Sequence, residues 1–549
     1  MTDLIVRTES LGGAPLARAA VGGELAEWYA ARPRTPDEWR ARAAATRGEP
    51  RPRPWLDALA PAFAASGAAA TRLARVADAN GVVVTTGQQP GLFGGPLYTW
   101  SKAISALALA DEIERATGIA TAPVFWAATD DADYAEASWT AFAVTGGVDR
   151  IELPPGGPVG GPMSELPLAD PSQAIEALAR ACGATVDDGP LAAVRAAYRE
   201  GATVGGAYLA LLRVLLEPLG IAVLDASHEA VSRAARPFLV RALERGDRVA
   251  QALRERDTAI RTAGFTPQVA EVEGLSLVFE RPAGGGEKRR IGVAEGAVAA
   301  SAATPTVLSP NVLLRPVVER AILPTVAYVA GPGEISYFAQ VGAVATTLDL
   351  ATPLVVPRWS VTIIEPHVAR ILGRFGLAVD DLSDPHAAEG RLARDAVPAA
   401  VERAVSQLRQ DVDRRAGAIG DGAAASGLGL ADPVVEGARR SIQHRIDRLE
   451  RRIVAAVKRR EAEMMRQIAT ARGALYPLGT RQERAINAVP FLARHGQALV
   501  AQMVAAAGDH ARELVGTATA PDTRADGTRT RTGETRTPSR VESTRVADA

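Results

Sequence analysis

Cysteine is almost absent from this chain of 549 residues: Cys182 stands alone. An internal disulfide framework and a cysteine-based metal cluster within one chain are therefore excluded. Cys182 sits in an alanine-rich helical stretch with no histidine near it, which fits packing better than nucleophilic chemistry. Six histidines are present, and five of them (His367, His386, His444, His495 and His510) show no ligand spacing to one another. His228 follows an apolar run and fits a solvated or capping position. Lysine is nearly absent while arginine and alanine abound, a compositional bias with no function attached to it. The net charge of −1 gives no general attraction to nucleic acid. No apolar run approaches the ~18 residues of a membrane span. No hydrophobic segment follows the acidic start at Asp3 and Glu9, so no export signal is expected and the expected location is the cytoplasm.

What is present is a globular composition long enough for several domains at ~150 residues each. Residues 1–80 read as mostly helical after a short extended start, broken by prolines around 50–54, with Trp28, Trp39 and Trp55 expected to pack them onto a core. Buried strands are expected at 82–86, 122–129, 221–225, 325–330 and 353–357. Strand, long helix, strand implies a right-handed crossover and a parallel sheet. Residues 151–170, rich in Pro and Gly, read as a linker leaving the sheet, and 173–220 as a helical segment. Short alternating strands across 266–307, interrupted by a charged hairpin tip at 284–290, resemble a small β-rich insertion. The chain then returns to the sheet from 308 to about 395.

Beyond 396 the pattern changes. Val401, Val405, Leu408 and Val412 step by four, three and four, and Ile442, Ile446, Leu449, Ile453 and Ala456 do the same after a Gly/Ala break at 417–428. Two such arms predict an antiparallel helical hairpin over 396–515 whose seam pairs with a second copy of the chain. The alternative is that the arms pack only on each other. Residues 516–549 have almost no apolar side chains and are expected to be disordered.

The stretch 82–102 organises the candidate site. A β-branched strand runs into a loop with glycines at 87, 91, 94 and 95, and Pro96 starts a helix. Strand, glycine loop and helix can present backbone N–H groups to an anion, and Gln88 and Gln89 add side-chain amides. The spacing is neither the dinucleotide fingerprint nor the Walker loop, so an ordinary βα turn stays open. Asp130, Asp131 and Asp133 crowd the next strand end. They suit Mg²⁺ with its waters, proton transfer or a substrate amine; a helix N-cap cluster is the alternative. Loops 87–96, 130–134 and 331–334 are expected to share one crevice, because neighbouring strand ends in a parallel sheet do. Glu334 adds a carboxylate, Arg315 a permanent cation and Lys102 an ammonium, with a structural salt bridge as the alternative for Arg315.

These residues also resemble a known family. Thr86-Gly87-Gln88-Gln89-Pro90-Gly91-Leu92-Phe93-Gly94-Gly95-Pro96-Leu97-Tyr98 with Lys102 is similar to the signature of the bacillithiol biosynthesis cysteine-adding enzymes, BshC. So are Pro123-Val124-Phe125-Trp126 before the acidic cluster, Asn311-Val312-Leu313-Leu314-Arg315-Pro316, the segment 323–338, and 475–484. The resemblance implies a Rossmann-like parallel core with a connective-peptide insertion and a dimerising C-terminal coiled coil. The implied activity is the last step of bacillithiol synthesis, an amide bond between cysteine and glucosaminyl-malate. ATP is the expected activator, with Mg²⁺ possible and no dedicated metal site. Asp131, Asp133, Glu334, Lys102 and Arg315 are the expected catalytic set. Gly87, Gln88, Gln89, Gly91, Gly95, Tyr98, Trp126, Asp130, Asn311, Gly331, Gly333 and Tyr337 are the expected binding set. Where the family's acidic motif has a histidine, and a second one a few residues on, this chain has Ala132 and Trp139. Two other classes fit the sequence: a nucleotide-dependent ligase or transferase of the same fold acting on another amino-sugar or amino-acid acceptor, and a non-catalytic coiled-coil scaffold.

Overall fold

A computed structural model describes residues 3–49, 54–282, 286–301, 306–384 and 386–518. The strands, in chain order, are β1 (Ile5–Glu9), β2 (Val82–Gln88), β3 (Thr121–Ala127), β4 (Trp139–Val144), β5 (Gly147–Glu152), β6 (Ala222–Asp225), β7 (Leu275–Pro282), β8 (Arg289–Gly292), β9 (Thr306–Pro310), β10 (Thr325–Ala330), β11 (Val355–Pro357) and β12 (Ser360–Ile364). Five of them form the parallel sheet, in the order β11-β10-β2-β3-β6. Val82, Val83 and Val84 are all fully buried, as expected where helices cover both faces. Val82 and Val84 face the helices Leu97–Thr117 and Val489–Val515. Val83, Val124 and Trp126 face Trp55–Phe63, Gly67–Asp78 and Glu229–Glu244. Trp28, Trp39 and Trp55 are buried, and so is Cys182.

The N-terminal extended start is β1, which pairs antiparallel with β12, a strand the sequence pattern did not reveal. The hairpin β4/β5 was also unforeseen. The helical segment 173–220 is built from three helices and a short 3₁₀ turn. The β-rich insertion is the antiparallel sheet β8-β7-β9, and it starts at Leu275, after Val269 and Val272. The Pro- and Gly-rich segment after β5 is no free linker. Met163 N–H donates to Asp131 O at 2.8 Å and Ser164 N–H to Thr129 O at 2.9 Å, so it straps the acidic loop.

The helices Ala399–Ala425 and Asp432–Arg460 form the predicted antiparallel hairpin, with Arg409 reaching Asp447 and Glu450 at 2.6 and 2.5 Å, and Asp413 meeting Arg439. The first helix runs straight through most of the expected break, because its glycines meet no conflicting contact and the turn needs only residues 426–431. Residues 364–388, expected with the core, pack on the helix Ala462–Leu475 through Val368, Leu372, Leu382 and Ile468. The expected disorder of the tail falls on residues 519–549, outside the described residues.

Glu365 ties these layers. Its carboxylate accepts from Arg494 Nε at 2.7 Å and Nη2 at 2.9 Å and lies 2.8 Å from His495 Nε2. Burial opposes its ionisation, but the His495 contact and Arg494 outweigh it and bring it down to about 2 from 4.5. A folded value below the unfolded one contributes stability above pH 4.5 that is lost as pH falls towards 2. Glu365→Gln should therefore lose about 3 kcal/mol at neutral pH and flatten the pH dependence in that window. Urea midpoints followed by circular dichroism check this, and an unchanged acid slope would refute it.

Candidate active site

Three buried ion pairs make the floor of the crevice at the carboxyl ends of β2, β10 and β11. Lys102, on the helix Leu97–Thr117, is 3% exposed. Its ammonium reaches Gly87 O at 2.8 Å, Gln88 Oε1 at 2.9 Å and Glu334 Oε2 at 2.5 Å, which uses its three donors. Glu334 in turn accepts from Gly331 N–H at 2.7 Å and from the Tyr328 hydroxyl at 2.6 Å. Burial lowers the Lys102 value. Burial works against Glu334 as well, but Lys102, Tyr328 and the Gly331 N–H outweigh it and hold the carboxyl below its ordinary range. Three acceptors around the Lys102 nitrogen and two further donors to Glu334 are the contacts of an ammonium–carboxylate pair.

Arg315 is held by Glu319 at 3.1 Å and by the hydroxyls of Tyr328 and Tyr337 at 3.2 and 3.1 Å. The expected structural salt bridge is thus present, although Arg315 also lines a cleft above it. Burial raises Glu319 to about 7 despite Arg315. The third pair was not foreseen. Arg358 and Glu483 meet in two bonds at 2.7 and 2.6 Å, both side chains nearly inaccessible, with Ser360 and Val361 also donating to Glu483. Glu483 lies in the 475–484 motif, between Gln482 and Arg484.

The acidic loop forms one wall. Asp133 caps the short helix Tyr134–Ala137 by accepting from Glu136 N–H at 3.2 Å, and Asp131 accepts from Asp133 N–H at 2.8 Å, so the capping alternative describes part of the cluster. Burial, then the neighbouring Asp130 charge, push Asp131 up. Glu136, missed in the sequence, lies 3.5 Å from both Gln88 Nε2 and the Tyr98 hydroxyl. Partial burial and the charges of Asp133 and Asp131 raise it too. Gln88 also donates to Gln89 Oε1 at 2.8 Å and to the Tyr98 hydroxyl at 3.2 Å. Through Lys102, Gln88 and Glu136 the three expected loops converge.

The glycine turn differs from expectation. The N–H groups of Gly94 and Gly95 are bonded to Gly91 O and Leu92 O at 3.0 and 3.1 Å. Asn487, fully buried, donates to the carbonyls of Leu92, Phe93 and Gly95. A Cβ on Gly91 would stand 2.7 Å from Gly95 Cα, and one on Gly87 would stand 2.7 Å from Trp126 O. Those glycines serve close backbone packing, and the Gly94 and Gly95 amides are already spent within the turn. Phe93, between them, holds φ +54°, a strained value for a bulky residue, against Tyr198 in an edge-to-face contact at 4.9 Å. Asn311 is a correction as well. Its carboxamide oxygen accepts from Leu313 and Leu314 N–H, and it lines a separate cavity with Asp257 and Gln340. Gly331 adjoins Glu334 and Lys102, Gly333 faces open space, and Tyr337 supports Arg315. Trp126 and Asp130 line the cleft with Arg315. Among the described residues no group of three His, Cys, Asp or Glu is placed to hold a metal ion.

Glu334→Gln would leave a buried ammonium without its counter-charge, at a cost of about 3–5 kcal/mol. Lys102→Met combined with Glu334→Gln should recover most of that loss. Denaturant melts of the single and double variants check this coupling; additive losses would show the pair to be unimportant.

Two family models match the chain. "Bacillithiol biosynthesis BshC, N-terminal Rossmann-like domain" covers residues 20–280 and 288–359, and "Bacillithiol biosynthesis BshC, C-terminal coiled-coil domain" covers 361–513. Proteins named "Putative cysteine ligase BshC" are similar over most of their length. That of Koribacter versatilis is 33% identical over 77% of this chain and 82% of its own. That of Solibacter usitatus is 33% identical over 78% and 83%, and that of Salinibacter ruber 30% over 77% and 80%.

Proposed function

The chain belongs to the BshC family of bacillithiol biosynthesis, and from that premise we propose that it is an amide-forming ligase that joins cysteine to glucosaminyl-malate, the last step to bacillithiol. The observation that carries the reading is the wall formed by Asp131, Asp133 and Glu136, of which burial raises Asp131 and Glu136, beside a floor of fixed ion pairs. An amine must shed a proton to attack an acyl carbon, and a carboxylate whose value is raised is a stronger base for that proton than an ordinary one. The new bond joins the carbon of the activated cysteine carboxyl to the glucosamine nitrogen while the acyl–oxygen bond to the activating phosphoryl or nucleotidyl group breaks and that group leaves with the oxygen; the amine proton passes to this wall. Lys102, Glu334 and Arg315 hold the strand ends and set the field. Cysteine is a substrate here, so the buried Cys182 has no part in the chemistry.

The cysteine carboxyl needs activation. ATP is the proposed source, with Mg²⁺ as its counter-ion. The turn at 91–95 does not fit its phosphates, because the Gly94 and Gly95 N–H groups are already bonded, and no step is derived through it. One observation favours a second reading, a ligase of the same fold with another amino-sugar or amino-acid acceptor. The positions at which the resemblance implies histidines carry Ala132 and Trp139, and Trp139 stacks with Arg150 at 4.9 Å. No described helix is long and apolar enough to cross a membrane, and a cytoplasmic enzyme is proposed.

We also propose a homodimer through the helical hairpin. Val405 and Ile446 are buried, but Leu408, Ile442 and Leu449 of the same seam remain about 45% exposed. A second copy would cover them.

Purified protein given cysteine, glucosaminyl-malate and ATP should yield bacillithiol by mass spectrometry. Asp133→Asn should slow it about 100-fold with its melting temperature nearly unchanged. No product from the parent protein would move the search to another acceptor, and an equal rate in the variant would remove Asp133 from the chemistry. Leu408→Glu with Leu449→Glu should convert a dimer to a monomer in light scattering; equal masses would refute the seam.

A further inference from the structure

Above the floor, the strand ends and the insertion sheet line a cleft. Its titratable lining is three cations, Arg281, Lys288 and Arg315, against one carboxylate, Asp130. Arg315 is spent on Glu319, Tyr328 and Tyr337. The other two are not. Lys288 donates to Asp130 O and stands 3.5 Å from the Asp130 carboxylate, which leaves ammonium donors over. Arg281 places Nη1 2.7 Å from Glu165 Oε1, on a guanidinium with five donors. Both side chains are about seven-eighths buried, at 13% and 12% exposed. Trp126 lines the same cleft at 4% exposure, and its buried indole N–H has no acceptor among the described residues. A buried N–H left without an acceptor costs about 1–3 kcal/mol, which a ligand oxygen would recover.

We propose that this cleft is an oxyanion subsite in which Arg281, Lys288 and the Trp126 N–H bind a carboxylate or phosphate group of the substrate. Arg281 lies on β7 and Lys288 immediately precedes β8, so the insertion sheet reads the acceptor while the parallel sheet supplies the floor and the carboxylate wall. The site's chemistry stands on the lining alone. Its assignment to a carboxylate, the malate end of the acceptor, rests on the proposed ligation.

Thermal melts of the full chain test it, with malonate, inorganic phosphate or chloride at matched ionic strength. Malonate should raise the melting temperature of the parent protein, and chloride should not. Lys288→Gln and Arg281→Gln should each weaken that protection about tenfold, and Trp126→Phe should weaken it as well. Either glutamine variant, if folded, should raise the KM for the acceptor. Protection by phosphate alone, lost in the same variants, would keep the subsite and assign it to a phosphate. No protection by either anion, or equal protection of parent and variants, would overturn the proposal. Malonate protection without ligation would sink the proposed reaction and leave the cleft; ligation without protection would do the reverse.

Discussion

Charge in the interior is the constraint around which this molecule is arranged. A lysine at 3% exposure is tolerable only with a carboxylate in contact, because desolvation of an ammonium otherwise exceeds any packing gain. The Lys102 ammonium finds Glu334 across the sheet, at the ends of β2 and β10, and takes the Gly87 carbonyl and Gln88 as well. That single contact joins the helix after β2 to the helix after β10 and sets the distance between their loops. Arg315 with Glu319 and Arg358 with Glu483 repeat the solution on either side. The strand ends are thereby held as a rigid polar floor rather than as a mobile rim.

The floor and the walls divide the work. Cations whose donors are spent define geometry and field, whereas groups with capacity left over face the cleft. Asp131 and Glu136 are pushed up by burial and by the neighbouring carboxylates, and the strap through Met163 and Ser164 ties the acidic loop by backbone hydrogen bonds. The glycine turn belongs with the floor. Its backbone is packed too closely for side chains and is stitched from behind by Asn487, so its part is to bring Gln88 and Lys102 into place.

The C-terminal region is bound to the core by the same kind of interaction and left open by another. Glu365 with Arg494 and His495, and Glu483 with Arg358, anchor it in buried polar contacts. Further out, the hairpin of Ala399–Ala425 and Asp432–Arg460 is held by exposed arginine–carboxylate pairs, which contribute little each. Leu408, Ile442 and Leu449 of its apolar seam stay in solvent.

Much of this was legible in residue order alone. Continuous β-branched runs flanked by glycine turns and helical periodicity determine a parallel sheet, because only a strand buried on both faces carries such runs. A seam stepping by four and three determines paired helices, and the motifs around Gly87, Arg315 and Glu334 determine which strand ends meet. Other features waited for the tertiary structure. Whether Lys102 is a free cation or one half of a buried pair depends on a partner 232 positions away, and Arg358 finds Glu483 across 125. Asn311 looks like a site residue in its motif, and in the fold its carboxamide oxygen accepts from Leu313 and Leu314 N–H in the turn that precedes the helix Arg315–Ile322. Glycines that suggest a phosphate loop proved to serve backbone contact, since spacing shows where a Cβ is missing and only packing shows what took its place.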